Sequence, residues 1–259
     1  MPDMKPLPGK FVWFEHVSRD PKKAQAFYGE VLGWKATPFS MGDSSYDMIY
    51  VGDTMIGGYD QPRGNQPAHW ISYVSVDDVD AAAKAATANG GKIVAPPSDI
   101  PTVGRMARIA DPQGAELCLF KRVNGDPPDA TTAPPGTFFW NELHTPDPAK
   151  TLGFYDKVVG YSHRAMDMGA AGSYYILARG GVDRAGATSH MGGGPASWLP
   201  YVSVTDPDAV LARAKKQGAT IQIDASDIPG VGRFGVLQDP TGAVLAIMKP
   251  QPATPKPTK

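Results

Sequence analysis

An internal repeat constrains this chain more than any other feature. The stretch GKFVWFEHVSRDPKKAQAFYGEVLGW, from Gly9, lies in register with GTFFWNELHTPDPAKTLGFYDKVVGY, from Gly136. Phe11, Trp13, Glu15, Asp20, Pro21, Phe27, Tyr28 and Gly33 recur as Phe138, Trp140, Glu142, Asp147, Pro148, Phe154, Tyr155 and Gly160. Further on, HWISYVSVDD answers SWLPYVSVTD, SDIPTVGR answers SDIPGVGR, and DPQGAELCLFK answers DPTGAVLAIMK. The repetition runs through each half from end to end. It implies one domain over residues 9–122 and a second over 136–249. The segment 123–135, rich in Pro and small polar residues, reads as an exposed linker, and 250–259 reads as a disordered tail.

A chain of 259 residues gives each copy enough length for a core of its own. Its 25 Lys and Arg balance 26 Asp and Glu, so no basic field exists to gather nucleic acid or anionic lipid. No apolar run approaches the roughly 20 residues of a membrane span, and the first residues lack a signal-peptide core. The lone cysteine, Cys118, excludes an internal disulfide and a cysteine-rich metal site. These features describe a soluble, cytoplasmic protein with no nucleic-acid partner and no membrane partner.

Within a copy the pattern is β-α-β-β-β, twice over. Residues 10–18 alternate Phe11, Trp13, Glu15 and Val17 on one face with Val12, Phe14 and His16 on the other, as in a strand covered on both sides. Asp20 then serves as an N-cap with Pro21 in the first helical position. Ala24, Phe27, Tyr28, Val31 and Leu32 follow the helical stripe, and Gly33 stops it. Strands are read at 46–51, 55–59, 69–76, 92–95, 105–110 and 116–121, with an alanine-rich helix at 79–87. Asp111-Pro112-Gln113-Gly114 fits a type I turn.

The DPxxAxxFYxxVxG helix, the VDDVDAA segment and the two DPxG hairpins together resemble the vicinal oxygen chelate superfamily, which holds glyoxalase I, bleomycin-resistance proteins and ring-cleaving dioxygenases. The WxE opening and the DIPxVGR segment are similar to its lactoylglutathione-lyase-related two-domain branch. The resemblance implies an α+β fold of tandem domains, each pairing two βαβββ modules into a cup-shaped, eight-stranded mixed sheet, with the domains packed as a pseudo-dimer. Metal-binding members take His, Gln and Glu ligands from the first strand of each module and the last strand of the cup. Carried onto this chain, those places fall on Trp13 and Trp140, on Ile71 and Leu199, and on Cys118 and Ala246. Tryptophan, isoleucine, leucine and alanine cannot ligate a metal, and divalent ions want three or four N, O or S donors. The expectation is therefore no metal and no cofactor. A register two residues different would bring in Glu15 and His69, and with them a metal-dependent glyoxalase or dioxygenase.

What the cup offers instead is a carboxylate beside an indole in each copy, Glu15 with Trp13 and Glu142 with Trp140. A glutamate among aromatics has its pKa raised by desolvation, which suits it to proton transfer next to a carbonyl. The opposing reading turns both glutamates outward or pairs them with arginine. Tyr73 and Tyr201 occur alike in both copies, as buried tyrosines or as ligand contacts. His69 has the parity of Tyr73 but is replaced by Ser197 in copy two. Arg105 and Arg233 are placed to clamp an anionic substrate or to brace their loops against Asp99 and Asp227, and bracing is favoured. Cys118 is either a nucleophile or a small buried apolar residue, and no base for it is evident. The glycines Gly57-Gly58 and Gly192-Gly193-Gly194 lack the context of a phosphate loop.

Two functions from different classes follow. One is a lyase or isomerase that uses Glu15 or Glu142 as general base on a small oxygenated metabolite. The other is a non-catalytic drug- or metabolite-binding protein whose aromatic cup sequesters its ligand. A third reading makes one copy a degenerate partner. The first predicts that Glu-to-Gln substitutions abolish turnover and spare binding.

Overall fold

A computed structural model describes residues 4–41, 44–130, 132–169, 172–189 and 194–251. The expected tail beyond Gln251 and the glycines Gly192 and Gly193 lie outside the described residues. The first copy runs β1 (Phe11–Val17), α1 (Pro21–Leu32), β2 (Lys35–Met41), β3 (Ser44–Val51), β4 (Thr54–Asp60), β5 (His69–Ser75), α2 (Val79–Ala88), β6 (Lys92–Ile100), β7 (Gly104–Ala110) and β8 (Glu116–Arg122). The second runs β9 (Phe138–Thr145), α3 (Pro148–Val159), β10 (Ser162–Asp167), β11 (Ser173–Arg179), β12 (Val182–Ser189), β13 (Ser197–Ser203), α4 (Pro207–Lys216), β14 (Thr220–Ile228), β15 (Gly232–Gln238) and β16 (Val244–Pro250). Each copy supplies one open eight-stranded mixed sheet, in the orders β2-β3-β4-β1-β5-β8-β7-β6 and β10-β11-β12-β9-β13-β16-β15-β14. Hairpin neighbours pair antiparallel, whereas β5–β8, β12–β9 and β13–β16 pair parallel.

The capping chemistry sets the helix bounds. Asp20 accepts the Lys23 amide at 3.0 Å, Pro21 fills the first turn, and Gly33 ends α1 in the left-handed region at φ 71°. Ala24, Phe27, Tyr28 and Val31 are buried as the stripe requires. Edge strands depart most from the sequence reading. Strand β2 carries Pro38 and is largely exposed, so it shows neither alternation nor a buried face, yet it pairs with β3 from Lys35 opposite Tyr50 to Met41 opposite Ser44. Strand β6 continues past Ala95 through Pro96 and Pro97 to Ile100, absorbing two register shifts against β7.

The compact units of the fold cut across the two copies. One comprises the described residues within 1–15, 70–130 and 140–200; the other comprises those within 16–69, 132–139 and 201–251. In the first unit, α2 from copy one and α3 from copy two share one core with Val74, Ile109, Leu117, Leu119, Leu143, Leu177 and Trp198. In the second, α1 packs with α4, and Arg213 donates to the Val31 carbonyl at 3.0 Å. Each unit repeats one polar device. The hairpin aspartate of one copy accepts the phenol of the other copy's helix: Tyr155 to Asp111 at 3.0 Å, and Tyr28 to Asp239 at 3.0 Å. The second carboxylate oxygen of each aspartate takes the amides of its own turn. The FY of the helix and the DPxG of the hairpin therefore recur for one reason. The segment 123–135 is only partly the exposed linker expected. Asp126 is buried in the first unit, where it accepts the Leu7 amide and the Ser75 hydroxyl, both at 2.6 Å.

Candidate functional site

On β9 the period of two places Trp140, Glu142 and His144 on one side of the strand. Glu142 is the focus of a polar cluster in the first unit. The Tyr174 hydroxyl donates to its Oε2 at 2.7 Å, Trp140 Nε1 donates to the Tyr174 hydroxyl at 3.0 Å, and His144 Nε2 lies 2.7 Å from its Oε1. The backbone makes room for this. Gly186 of β12 sits directly opposite Glu142, and a methyl group on it would land on the Tyr174 hydroxyl. Glycine at 186 thus lets the phenol of β11 cross β12 to reach the carboxylate. Burial, and then the Glu142 charge, push the Tyr174 phenol far up, so it remains a donor. The Glu142 side chain is 11% exposed and the His144 side chain 21%. The cluster therefore joins a sheltered carboxylate to a ring that touches solvent.

The sequence reading identified Glu142 and Trp140 but missed His144 and Tyr174. Both signals were present: His144 continues the period-two series, and Tyr174 aligns with Tyr46 of copy one. Tyr46 also lies against a glycine, Gly58, in the second unit. Copy one is chemically different at the decisive place, because Val17 stands where copy two has His144. There Glu15 accepts the Tyr73 hydroxyl at 3.0 Å, and Tyr73 stands opposite Cys118 in the β5–β8 register. Cys118 is 1% exposed and burial pushes its thiol far up, so a thiolate is disfavoured there, in keeping with a small buried apolar residue. Trp13 is half-buried on β1.

The remaining expected residues are dispersed. His69 opens β5, with Nδ1 2.8 Å from the Pro67 carbonyl. Tyr201 is buried on β13, opposite Ala246. Arg105 is engaged by two carboxylates, bidentate with Asp80 at 2.6 and 2.8 Å and with Asp99 at 2.9 Å. Arg233 repeats this with Asp208 at 2.6 and 2.8 Å and Asp227 at 3.2 Å. Both guanidiniums tie the N-terminus of a helix to the adjacent hairpin, with Asp80 and Asp208 as partners the sequence reading had not named. An anion clamp would have to displace these pairs.

A second histidine, His16, is fully buried in the second unit with Nε2 2.8 Å from Asp239 Oδ2. Burial raises the Asp239 carboxyl, but His16 and Thr241 outweigh it and hold the group below the ordinary carboxylate range. Its counterpart Asp111 has no histidine, since Leu143 replaces His16. Burial prevails there over the Ala115 and Gln113 amides and the Tyr155 phenol, and the carboxyl is raised.

The donor set does not fit the divalent ion that the fold family implies. Among the described residues no group of three or more His, Cys, Asp or Glu side chains converges. At Glu142 and His144 two donors approach each other, and the next members of the cluster are a phenol held protonated and an indole, neither of which completes a metal shell.

Two open eight-stranded mixed sheets, each built from a repeated βαβββ pattern, have the fold of a glyoxalase-type scaffold. Residues 10–119 match the Glyoxalase/Bleomycin resistance protein/Dioxygenase superfamily. Over 247 residues the chain is 35% identical to a protein of Mycobacterium tuberculosis (strain CDC 1551 / Oshkosh) described as "Putative glyoxylase CFP32", covering 93% of this chain and 94% of that one. The chain belongs to this superfamily. It is also 29% identical over 270 residues to the anthracycline biosynthesis protein DauV of Streptomyces sp. (strain C5), with 96% of each chain covered. Among solved structures, the Mn(II)-bound glyoxalase of Novosphingobium aromaticivorans superposes with a TM-score of 0.65 at 18% identity, over 93% of this chain and 82% of that one. The 2,3-dioxygenase LapB of Pseudomonas sp. KL28 gives 0.64 at 14% identity, over 98% and 96%. These two likenesses bear on the fold alone. No described helix is long and apolar enough to cross a membrane.

Proposed function

We propose that this protein is a glyoxalase-related lyase or isomerase that moves a proton on a small oxygenated metabolite, with Glu142 as the base and without a metal ion. The observation that carries the reading is the carboxylate of Glu142, sheltered on β9 and held by a phenol on one oxygen and approached by an imidazole on the other. Such a group is oriented for proton transfer, with the phenol fixing one oxygen and the imidazole beside the other. Relatives described as a glyoxylase and as anthracycline biosynthesis proteins favour a carbonyl-bearing substrate with adjacent oxygens. The sharing of each compact unit by both copies supports packing of the copies as a pseudo-dimer. The balanced charge and single cysteine support a cytoplasmic site of action.

A non-catalytic binding role is favoured for copy one. Its Glu15 is engaged by Tyr73, and Val17 offers nothing to take a proton onward. The reading is tested with the hemithioacetal of methylglyoxal and glutathione, a carbon acid flanked by hydroxyl and carbonyl. Glu142→Gln is expected to lower kcat by about a hundredfold or more, the ordinary range for a general base, with KM little changed. Glu15→Gln is expected to act mainly on KM. Saturable binding without any product from the wild-type protein would make the chain a binder.

A further inference from the structure

The two copies conserve the glutamate but not its neighbour, and that difference assigns them unequal work. On β9, His144 stands two residues beyond Glu142, on the same side of the strand, with Nε2 2.7 Å from the carboxylate oxygen that Tyr174 does not use. On β1 the same place holds Val17. We infer that His144 is the proton relay of the Glu142 site, and that copy two, not copy one, is the face on which turnover occurs. The inference rests on the reading of Glu142 as a base and adds to it where the proton goes.

The step balances as follows. Glu142 takes a proton from the carbon next to a substrate carbonyl; the C–H electron pair moves into the C–C bond, and the carbonyl oxygen becomes an enolate oxygen. The proton then passes from the carboxyl to Nε2 of neutral His144, which becomes an imidazolium beside a restored carboxylate. Returning the proton to the neighbouring carbon, while the hydroxyl on the first carbon passes its own proton to the enolate oxygen, leaves a carbonyl at the first carbon and a hydroxyl at the second and closes the cycle with no oxidant or reductant. Tyr174 and Trp140 act differently, since the indole orients the phenol and the phenol fixes the other carboxylate oxygen. The exposure gradient supports a relay rather than a purely structural pair. The Glu142 side chain is 11% exposed and the His144 side chain 21%, with Nε2 itself turned inward, so the ring keeps a solvent-facing edge and swings outward to exchange its proton with water. A buried structural pair would need no such edge, and the buried His16–Asp239 pair has none, with both side chains 0% exposed.

Glu142 faces His144 on its own sheet and connects it to Tyr174 and Trp140. His144 acts through Glu142 and so is a relay and positioning residue. The experiment follows turnover of the methylglyoxal–glutathione hemithioacetal in D2O by NMR, recording both rate and deuterium in the product. Wild type is expected to yield product substantially labelled from solvent. His144→Ala should lower kcat by about a hundredfold, leave KM within about threefold, and return product that keeps its own proton. Added imidazole should restore both rate and label to His144→Ala. His144→Gln, which keeps size and a donor but cannot carry a proton, should behave as His144→Ala does, with unfolding temperatures confirming that both variants fold. Equal labelling by wild type and the two variants, or the absence of imidazole rescue, overturns the relay while leaving Glu142 as base. No turnover by wild-type protein overturns both.

Discussion

At Glu142 a single side chain gathers an indole, a phenol and an imidazole from two strands, and the consequence of each is separable. Tyr174→Phe removes the donor on one carboxylate oxygen while keeping the ring over Gly186. We expect stability to fall by about 1 to 2 kcal/mol in denaturant titration, because a charge-assisted bond is lost at a sheltered group. Gly186→Ala places a methyl on the phenol and should cost more than Tyr174→Phe. The two buried aspartates give a sign-dependent pair of predictions. Asp239 is held below its unfolded value, so its contribution is present above about pH 4 and is lost as pH falls through the lower folded value. Asp239→Asn should therefore lose about 2 kcal/mol at neutral pH, and its deficit should shrink in acid. Asp111 is raised, so the folded state binds its proton more tightly than the unfolded chain and wild type loses this advantage as pH rises. Asp111→Asn should show its largest deficit in acid. Urea titrations between pH 3 and 7, a range of about four units spanning the carboxylate region, distinguish the two signs.

At the level of elements, legibility in the sequence followed burial. Helix α1 was readable because cap, Pro, apolar stripe and terminal Gly all agreed, and Gly33 adopts the left-handed conformation with open space around it. Gly33→Ala should cost about 1 kcal/mol through backbone strain alone, lowering Tm by about 2 to 4 °C. Strands β2 and β10 were not readable, because an exposed edge strand has no face on which alternation is enforced. The site was half legible for a related reason. Glu142 and Trp140 stand in the repeat, but His144 breaks it, and attention to what recurs passes over what differs. Tyr174 recurs, yet it meets Glu142 only because Gly186 is bare, a contact fixed by sheet order rather than by spacing along the chain.

For the whole molecule, the repeat marks the copies but not the compact units. Each hairpin aspartate is completed by a tyrosine from the other copy, and α2 shares its core with α3. A chain cut after Ala130 should thus leave Asp111 without Tyr155 and the α2 face uncovered. We expect either half alone to be unfolded or to self-associate, and the two halves mixed to recover a cooperative transition, as followed by circular dichroism and sedimentation. A monomeric half with a sharp unfolding transition of its own would contradict this.

The most direct test of the central claim is the rate of hemithioacetal turnover by wild-type and Glu142→Gln protein after exhaustive chelation, with metal content measured on the same samples. The account predicts that wild-type turnover survives chelation at substoichiometric metal and that Glu142→Gln loses about a hundredfold or more of kcat. Turnover that vanishes on chelation and returns with one bound ion per chain would contradict it, and would make Glu142 a ligand rather than a base.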